Sequence, residues 1–228
     1  MRIRELRLLT SRLAEQKEFY TQRLGLPLVD ETSSVVALQV GETRLVFTQT
    51  REGTEPYYHF AFNISENKLL QAKTWLAERY IALSKDDPDN WYSKSWNSNA
   101  LYFYDSAGNI VEFIARHSLS NAQEGPFTVR DLLYTSEIGL VTDDVLALVK
   151  QLRDTFGVEI YKGGASEEFA ALGDEYGLFI LSKRGRIWLA SNKESQVFPT
   201  EVSIQDSGVK TYEIAGLPYR IQVIKVTE

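Results

Sequence analysis

The chain has no cysteine, one methionine and only two histidines in 228 residues. Without cysteine there are no disulfides, no thiolate nucleophile and no Cys-ligated zinc or iron–sulfur site. This composition fits a reducing compartment. With only His59 and His117 available, chemistry that needs a histidine pair must use both. His117 enters the polar stretch "ARHSLSNAQEGP", where exposure is the default, so one imidazole remains for a site. A basic stripe is also missing. The 25 Lys and Arg are interleaved with 31 Asp and Glu, for a net charge of -6, and no nucleic-acid partner is expected. No apolar run approaches the ~20 residues of a membrane span. The opening "MRIRELRLLTSRL" carries too many charges for a signal peptide, so a cytoplasmic protein with no membrane partner is expected. Neither a Ser-His-Asp arrangement nor a dinucleotide fingerprint is present, and "KGGAS" at Lys162–Ser166 lacks the spacing of a phosphate-cradling loop.

What is present is an ordinary globular balance, 43% apolar and 25% charged, in a length open to one large or two small domains. "RELRLL" alternates, Leu6 and Leu8 against Glu5 and Arg7, as a half-buried strand does. Leu13, Tyr20 and Leu24 share a helical face over about Ser11–Leu24, and Gly25 follows as a stop. "SVVALQVG" and "TRLVFTQ" form a hairpin around Gly41 and Glu42. The order then repeats. "YHFAFNI" places Phe60, Phe62 and Ile64 opposite His59, Ala61 and Asn63. Ser65 is a candidate N-cap for a helix carrying Leu69, Ala72, Leu76 and Tyr80. "ALYFYD" and "NIVEFIAR" follow, joined by the turn "DSAGN".

Residues 118–130 have the Ser, Asn, Gly and Pro of a linker. A third unit then echoes the first at one ungapped offset: "ELRLLT" at Glu5–Thr10 matches "EIGLVT" at Glu137–Thr142, and "LGLPL" at Leu24–Leu28 matches "FGVEI" at Phe156–Ile160. Val145, Leu148, Val149 and Leu152 give its helix an apolar stripe. From Phe198 onward only three strand-like pieces fit, so the fourth unit is truncated. The expected organisation is a pair of units in 1–117 with the candidate site, a linker in 118–130, and a second, degenerate pair in 131–228. Internal duplication, rather than chance similarity of two amphipathic segments, is the expected origin of the repeat.

"EFYTQRLGLPLV" after the first strand and "YFYDSAGNIVEF" closing the second unit resemble the vicinal oxygen chelate superfamily, the group of glyoxalase I, extradiol dioxygenases and bleomycin-resistance proteins. The resemblance implies an α+β fold of paired βαβββ modules whose mixed sheets curl into a cup. It also implies metal ligands on the first and last strands of each module. Carried onto this sequence, those positions are Glu5, His59 and Glu112. The closing strand of the first module offers Val46, which cannot bind a metal. One imidazole and two carboxylates suit a divalent Fe, Mn, Zn or Ni, and Glu112 is the expected catalytic residue. The counterparts in the second half are Glu137, Glu201 and Gln222, which lack a histidine and read as a structural copy.

Each candidate also has a plain structural role open to it. Glu5 can pair with Arg7 or Arg4, His59 can be a satisfied lining residue, and Glu112 can accept from neighbouring tyrosines. Aromatic residues gather in the same units, and Phe47, Trp91, Trp96 and Tyr102 are expected to wall a substrate pocket. The loop "DDPDNWYSKSWNSN" is otherwise polar, so its two tryptophans read as a lid over a flat ligand. The first reading is a metal-dependent lyase or ring-cleaving dioxygenase acting on a small, aromatic, oxygen-bearing molecule. The alternative is a non-catalytic, drug-sequestering binding protein that uses the same cup. A purely structural protein would leave three polar cup residues unexplained. Either a monomer or a homodimer is compatible with the sequence.

Overall fold

A computed structural model describes residues 1–51, 53–84, 92–206 and 208–225. The first unit runs β1 (Arg2–Thr10), α1 (Leu13–Glu18), β2 (Leu28–Glu31), β3 (Val35–Val40) and β4 (Thr43–Gln49). The expected single helix is split, because α1 continues as a π-helical turn over Phe19–Arg23. Gly25, at φ +72°, takes the left-handed conformation that ends it. The second unit is β5 (His59–Ile64), α2 (Leu69–Ala77), β6 (Tyr92–Ser93), β7 (Ser98–Tyr104) and β8 (Ile110–Arg116). Helix α2 starts later than a Ser65 cap would place it. Ser65 accepts from the Lys68 amide through its backbone carbonyl, and Lys68 occupies the cap position.

The third unit is β9 (Leu132–Thr142), α3 (Val145–Phe156), β10 (Ile160–Ala165), β11 (Phe169–Asp174) and β12 (Gly177–Lys183). Asp144 caps α3 by accepting from the Ala147 amide, and Val145, Leu148, Val149 and Leu152 are its buried stripe. The last segment supplies β13 (Thr200–Gln205), β14 (Lys210–Glu213) and β15 (Tyr219–Ile224) with no helix between them, as the truncated fourth unit predicts. Among the described residues no helix is long and apolar enough to cross a membrane.

These strands form two mixed sheets, ordered β14-β15-β13-β1-β4-β3-β2 and β10-β11-β12-β9-β5-β8-β7-β6. This pairing differs from the expected one. The first unit shares its sheet with the last segment, while the second shares its sheet with the third. The reason lies in the strand edges. After its parallel pairing with β4, β1 has one free edge, and β13 fills it antiparallel; β5 is parallel to β8, and β9 fills its other edge antiparallel. The register repeats across the units. Glu5 lies beside Arg44, His59 beside Ile110, Glu137 beside Leu178 and Glu201 beside Arg220.

One apolar core joins both sheets and the helices, including Leu6, Phe47, Phe60, Phe62, Phe113, Phe179 and Ile221. Alternation along the strands puts these residues on the helix side and leaves the opposite face of each sheet as a cup. Two tyrosines stitch the sheets together. The Tyr58 hydroxyl accepts from the Leu9 amide at 3.2 Å and donates to the Pro199 carbonyl at 2.9 Å. The Tyr219 hydroxyl exchanges bonds with the Val141 amide and carbonyl at 2.7 and 2.6 Å. A buried carboxylate does the same for the helices. Asp105, in the β7–β8 turn, accepts from Gln16 (2.7 Å), the Tyr20 hydroxyl (2.8 Å) and the Asn109 side chain (2.7 Å). It also accepts from the Ala107 and Asn109 amides. Every partner is a donor, so Asp105→Asn turns an amide NH2 toward other donors. The substitution is expected to cost about 1–3 kcal/mol in chemical denaturation, and an unchanged midpoint would show that the network carries no stability.

Candidate metal centre in the second cup

The cup of the eight-stranded sheet holds a cavity of about 420 Å³, within the range of small-molecule sites. Three buried donor side chains meet in its wall. His59 opens β5, Glu112 is central in β8, and Glu137 is on β9, and one ligand atom from each lies within 4.8 Å of the others. His59 Nε2 is 3.6 Å from Glu112 Oε2 and 3.9 Å from Glu137 Oε2. The strand registers produce this arrangement. Ala61 is paired with Glu112 on one side and Glu137 on the other, and His59 stands two residues along on the same face. Ala61 is small, which leaves the space between the three donors open.

The His59 ring is oriented through its other nitrogen. Nδ1 is 3.2 Å from the Ile110 carbonyl. A carbonyl only accepts, so Nδ1 carries the proton and Nε2 is directed at the carboxylates. Trp188 covers the ring, with centroids 5.1 Å apart. That contact depends on Gly139, where a Cβ would stand 2.7 Å from the indole edge. Arg116, fully buried below the cluster, donates to Glu137 Oε1 and approaches the Tyr161 hydroxyl at 3.4 Å. Burial and the neighbouring Glu137 push the Glu112 carboxyl well above the usual carboxylate range, opposed by Arg116 and by a hydrogen bond from Tyr102. Burial, then Glu112 and Glu137, likewise raise the Tyr102 phenol well above its ordinary value.

The donor set fits a divalent cation. Of the two buried carboxylates only Glu137 is paired with the Arg116 guanidinium, the imidazole offers a lone pair, and a dication would relieve the remaining negative charge. His59, Glu112 and Glu137 would hold it. The fourth corner is closed, because Ile180 occupies in β12 the register place that Glu112 occupies in β8.

Of the residues expected to bind metal, His59 and Glu112 come together and Glu5 does not join them. Glu5 lies on the other sheet, bonded to Arg7 at 3.1 Å and Arg44 at 3.3 Å. Arg7 also reaches within 3.9 Å of Glu201. It stands in the register place of Ala61, so a side-chain cation fills the equivalent space there. Of the pocket residues, Trp96 and Tyr102 line the cavity. Phe47 packs in the apolar core against Tyr20, with ring centroids 5.2 Å apart. Trp91 lies outside the described residues. The site's third donor, Glu137, is visible in the sequence as the repeat partner of Glu5. Arg116 shares the cup face of its strand with Glu112 by simple alternation, whereas Trp188 carries no periodic or motif signal.

The sequence profile of the Glyoxalase/Bleomycin resistance protein/Dioxygenase superfamily matches residues 2–163. The chain belongs to this superfamily. A search of curated proteins finds no match. Among solved structures, the chain is similar to a Bacillus subtilis protein provisionally assigned as a dioxygenase. The two are 14% identical with a TM-score of 0.67, over 98% of this chain and 85% of that one. It is also similar to a variant of glyoxalase I from Zea mays, at 14% identity and a TM-score of 0.60, over 98% and 93% of the two chains. At these identities the likeness is one of fold. This glyoxalase-superfamily protein therefore joins the α+β cup to a buried His/Glu/Glu cluster. Removing the cluster's fixed cation tests its electrostatics. Arg116→Met is expected to cost about 3–5 kcal/mol in chemical denaturation, with Glu137→Gln in the same chain recovering most of it. A loss under about 1 kcal/mol would mean that Arg116 does not offset the buried charge.

Proposed function

We propose that this protein is a metal-dependent enzyme of the glyoxalase/dioxygenase type, with a divalent metal held by His59, Glu112 and Glu137. The observation that carries this reading is the convergence of the three donors in the wall of one ligand-sized cavity. Once bound, such a metal supplies Lewis-acid polarisation of adjacent substrate oxygens. The chain's own side chains do the rest. Glu137 is committed to Arg116, whereas Glu112 takes its hydrogen bond from the neutral Tyr102 phenol. Glu112 is therefore assigned the proton-handling role at its carboxylate, and Tyr102 orients it. Trp96 and Trp188 exclude water and accept a flat apolar body. The substrate is accordingly a small molecule with oxygen atoms at one edge and an aromatic or similarly flat body.

A second reading, a ligand-sequestering protein without catalysis, draws on the Arg116–Glu137 pair, which gives the cup a cation of its own. Elemental analysis of protein purified without chelators separates the two. Wild type and Glu5→Ala are expected to carry close to one divalent ion per chain, while His59→Ala and Glu137→Ala lose it. A metal-free wild type, or full retention by His59→Ala, would remove the metal reading.

The pocket wall gives a separate expectation. Trp96→Ala should weaken binding of 4-methylcatechol by about two- to tenfold, the value of one aromatic contact, with metal content intact. Parallel loss of metal would instead assign Trp96 to the fold.

A further inference from the structure

Among the described residues, the cavity that holds the candidate metal ligands also has one cation in its wall, Arg186. It lies in the segment between β12 and β13, which doubles back over the cup. That segment is pinned from several sides. The Tyr57 hydroxyl donates to the Glu194 carbonyl at 2.7 Å, Lys193 donates to the Gly108 carbonyl at 2.7 Å, and Tyr104 meets Asn192 at 3.2 Å. The same segment carries Trp188, the residue on the face of His59. Arg186 is thus presented to the cavity by a strap held in place on the β4–β5 connection and the β7–β8 hairpin.

Nearby cations are already committed. Arg184 pairs with Asp143 at 2.8 and 3.0 Å, Lys162 with Glu175 at 2.7 Å, and Arg116 with Glu137. Arg186 has no acidic partner among the described residues. Its guanidinium lies over the Phe169 ring, 4.9 Å from the centroid, and Phe169 also lines the cavity. Stacking uses the flat face of the guanidinium and leaves the N–H fork at its edge unspent. A half-buried, pre-oriented fork without a carboxylate is a receptor for a planar anion. The charge of the cavity agrees. A dication with Arg116 would outweigh Glu112 and Glu137, and Arg186 adds positive charge at the wall.

We infer that Arg186 is a specificity-determining residue that selects an anionic substrate, a flat aromatic acid whose carboxylate pairs with its guanidinium. This rests on the reading of the cavity as the substrate site and names the substrate class for it. Trp96 and Trp188 pack the ring, the carboxylate takes the Arg186 fork, and the remaining oxygens face His59, Glu112 and Glu137.

The test uses two probes of matched shape, 3,4-dihydroxybenzoate and 4-methylcatechol, which differ in one carboxylate set away from the paired oxygens. Binding to wild type and Arg186→Gln is measured by calorimetry, on protein as purified and after chelator treatment. Wild type is expected to favour the carboxylate by about tenfold or more, each tenfold being about 1.4 kcal/mol. Arg186→Gln should abolish that preference while binding 4-methylcatechol as wild type does. The substitution spares the strap's backbone bonds at this residue, Arg186 N–H to the Lys183 carbonyl and Ser195 N–H to the Arg186 carbonyl, and an unchanged melting temperature confirms that it folds. Equal binding of both probes by wild type overturns the inference. So does a preference that survives in Arg186→Gln, or binding of neither probe. The metal reading fails separately: a carboxylate preference that persists unchanged in protein shown to be metal-free leaves Arg186 as the anion receptor of a metal-independent binding site.

Discussion

The antiparallel pairing of β5 with β9 is the constraint on which the rest of this molecule depends. It joins the second and third units into one sheet and sets Ala61 level with Glu137. The parallel pairing of β5 with β8 sets the same alanine level with Glu112. Two registers on one strand therefore place two carboxylates on either side of a methyl group, with His59 two residues away on the same face. A shift of one residue in either register would turn a carboxylate to the helix side. The adjacent core, with Phe60, Phe62 and Phe113 on that side, makes such a shift costly.

The two sheets answer the same electrostatic problem in different ways. In the seven-stranded sheet Arg7 stands between Glu5 and Glu201, and the cup is a half-exposed ion-pair network. In the eight-stranded sheet the corresponding residue is Ala61, the carboxylates are buried, and the available guanidinium, Arg116, lies beneath Glu137 rather than between the donors. Burial makes uncompensated charge expensive. The second cup is therefore the one whose donor set calls for a further cation, and the first is already neutralised by its own side chains.

The strap between β12 and β13 completes the cavity. It contributes Trp188 over His59 and Arg186 over Phe169, so the covering segment and the ligand strands come from different units. The closed fourth corner at Ile180 and the aromatic walls at Trp96 and Trp188 line the space beside the donors with apolar surface. The aromatic walls and the wall cation Arg186 together restrict what fits, and the metal donors alone would not.

Sequence alone determined the elements and their repetition. The alternation of "HFAFNI" and "NIVEFIAR", the stripe of α3 and the three strand-like pieces after Phe198 are local patterns, and local patterns survive in one dimension. His59 and Glu112 were legible for that reason, each a polar residue on the cup face of an otherwise apolar strand. The repeat offset likewise marked Glu5 and Glu137 as equivalent positions. Only tertiary structure decided between them. Which strand fills the free edge of β5 depends on hydrogen bonding between segments some seventy residues apart, and no spacing along the chain records it. Phe47 and Trp188 show the same limit from both sides: an aromatic residue reads alike in sequence whether it is packed in a core or laid over an imidazole, and only the path of the chain through space separates the two.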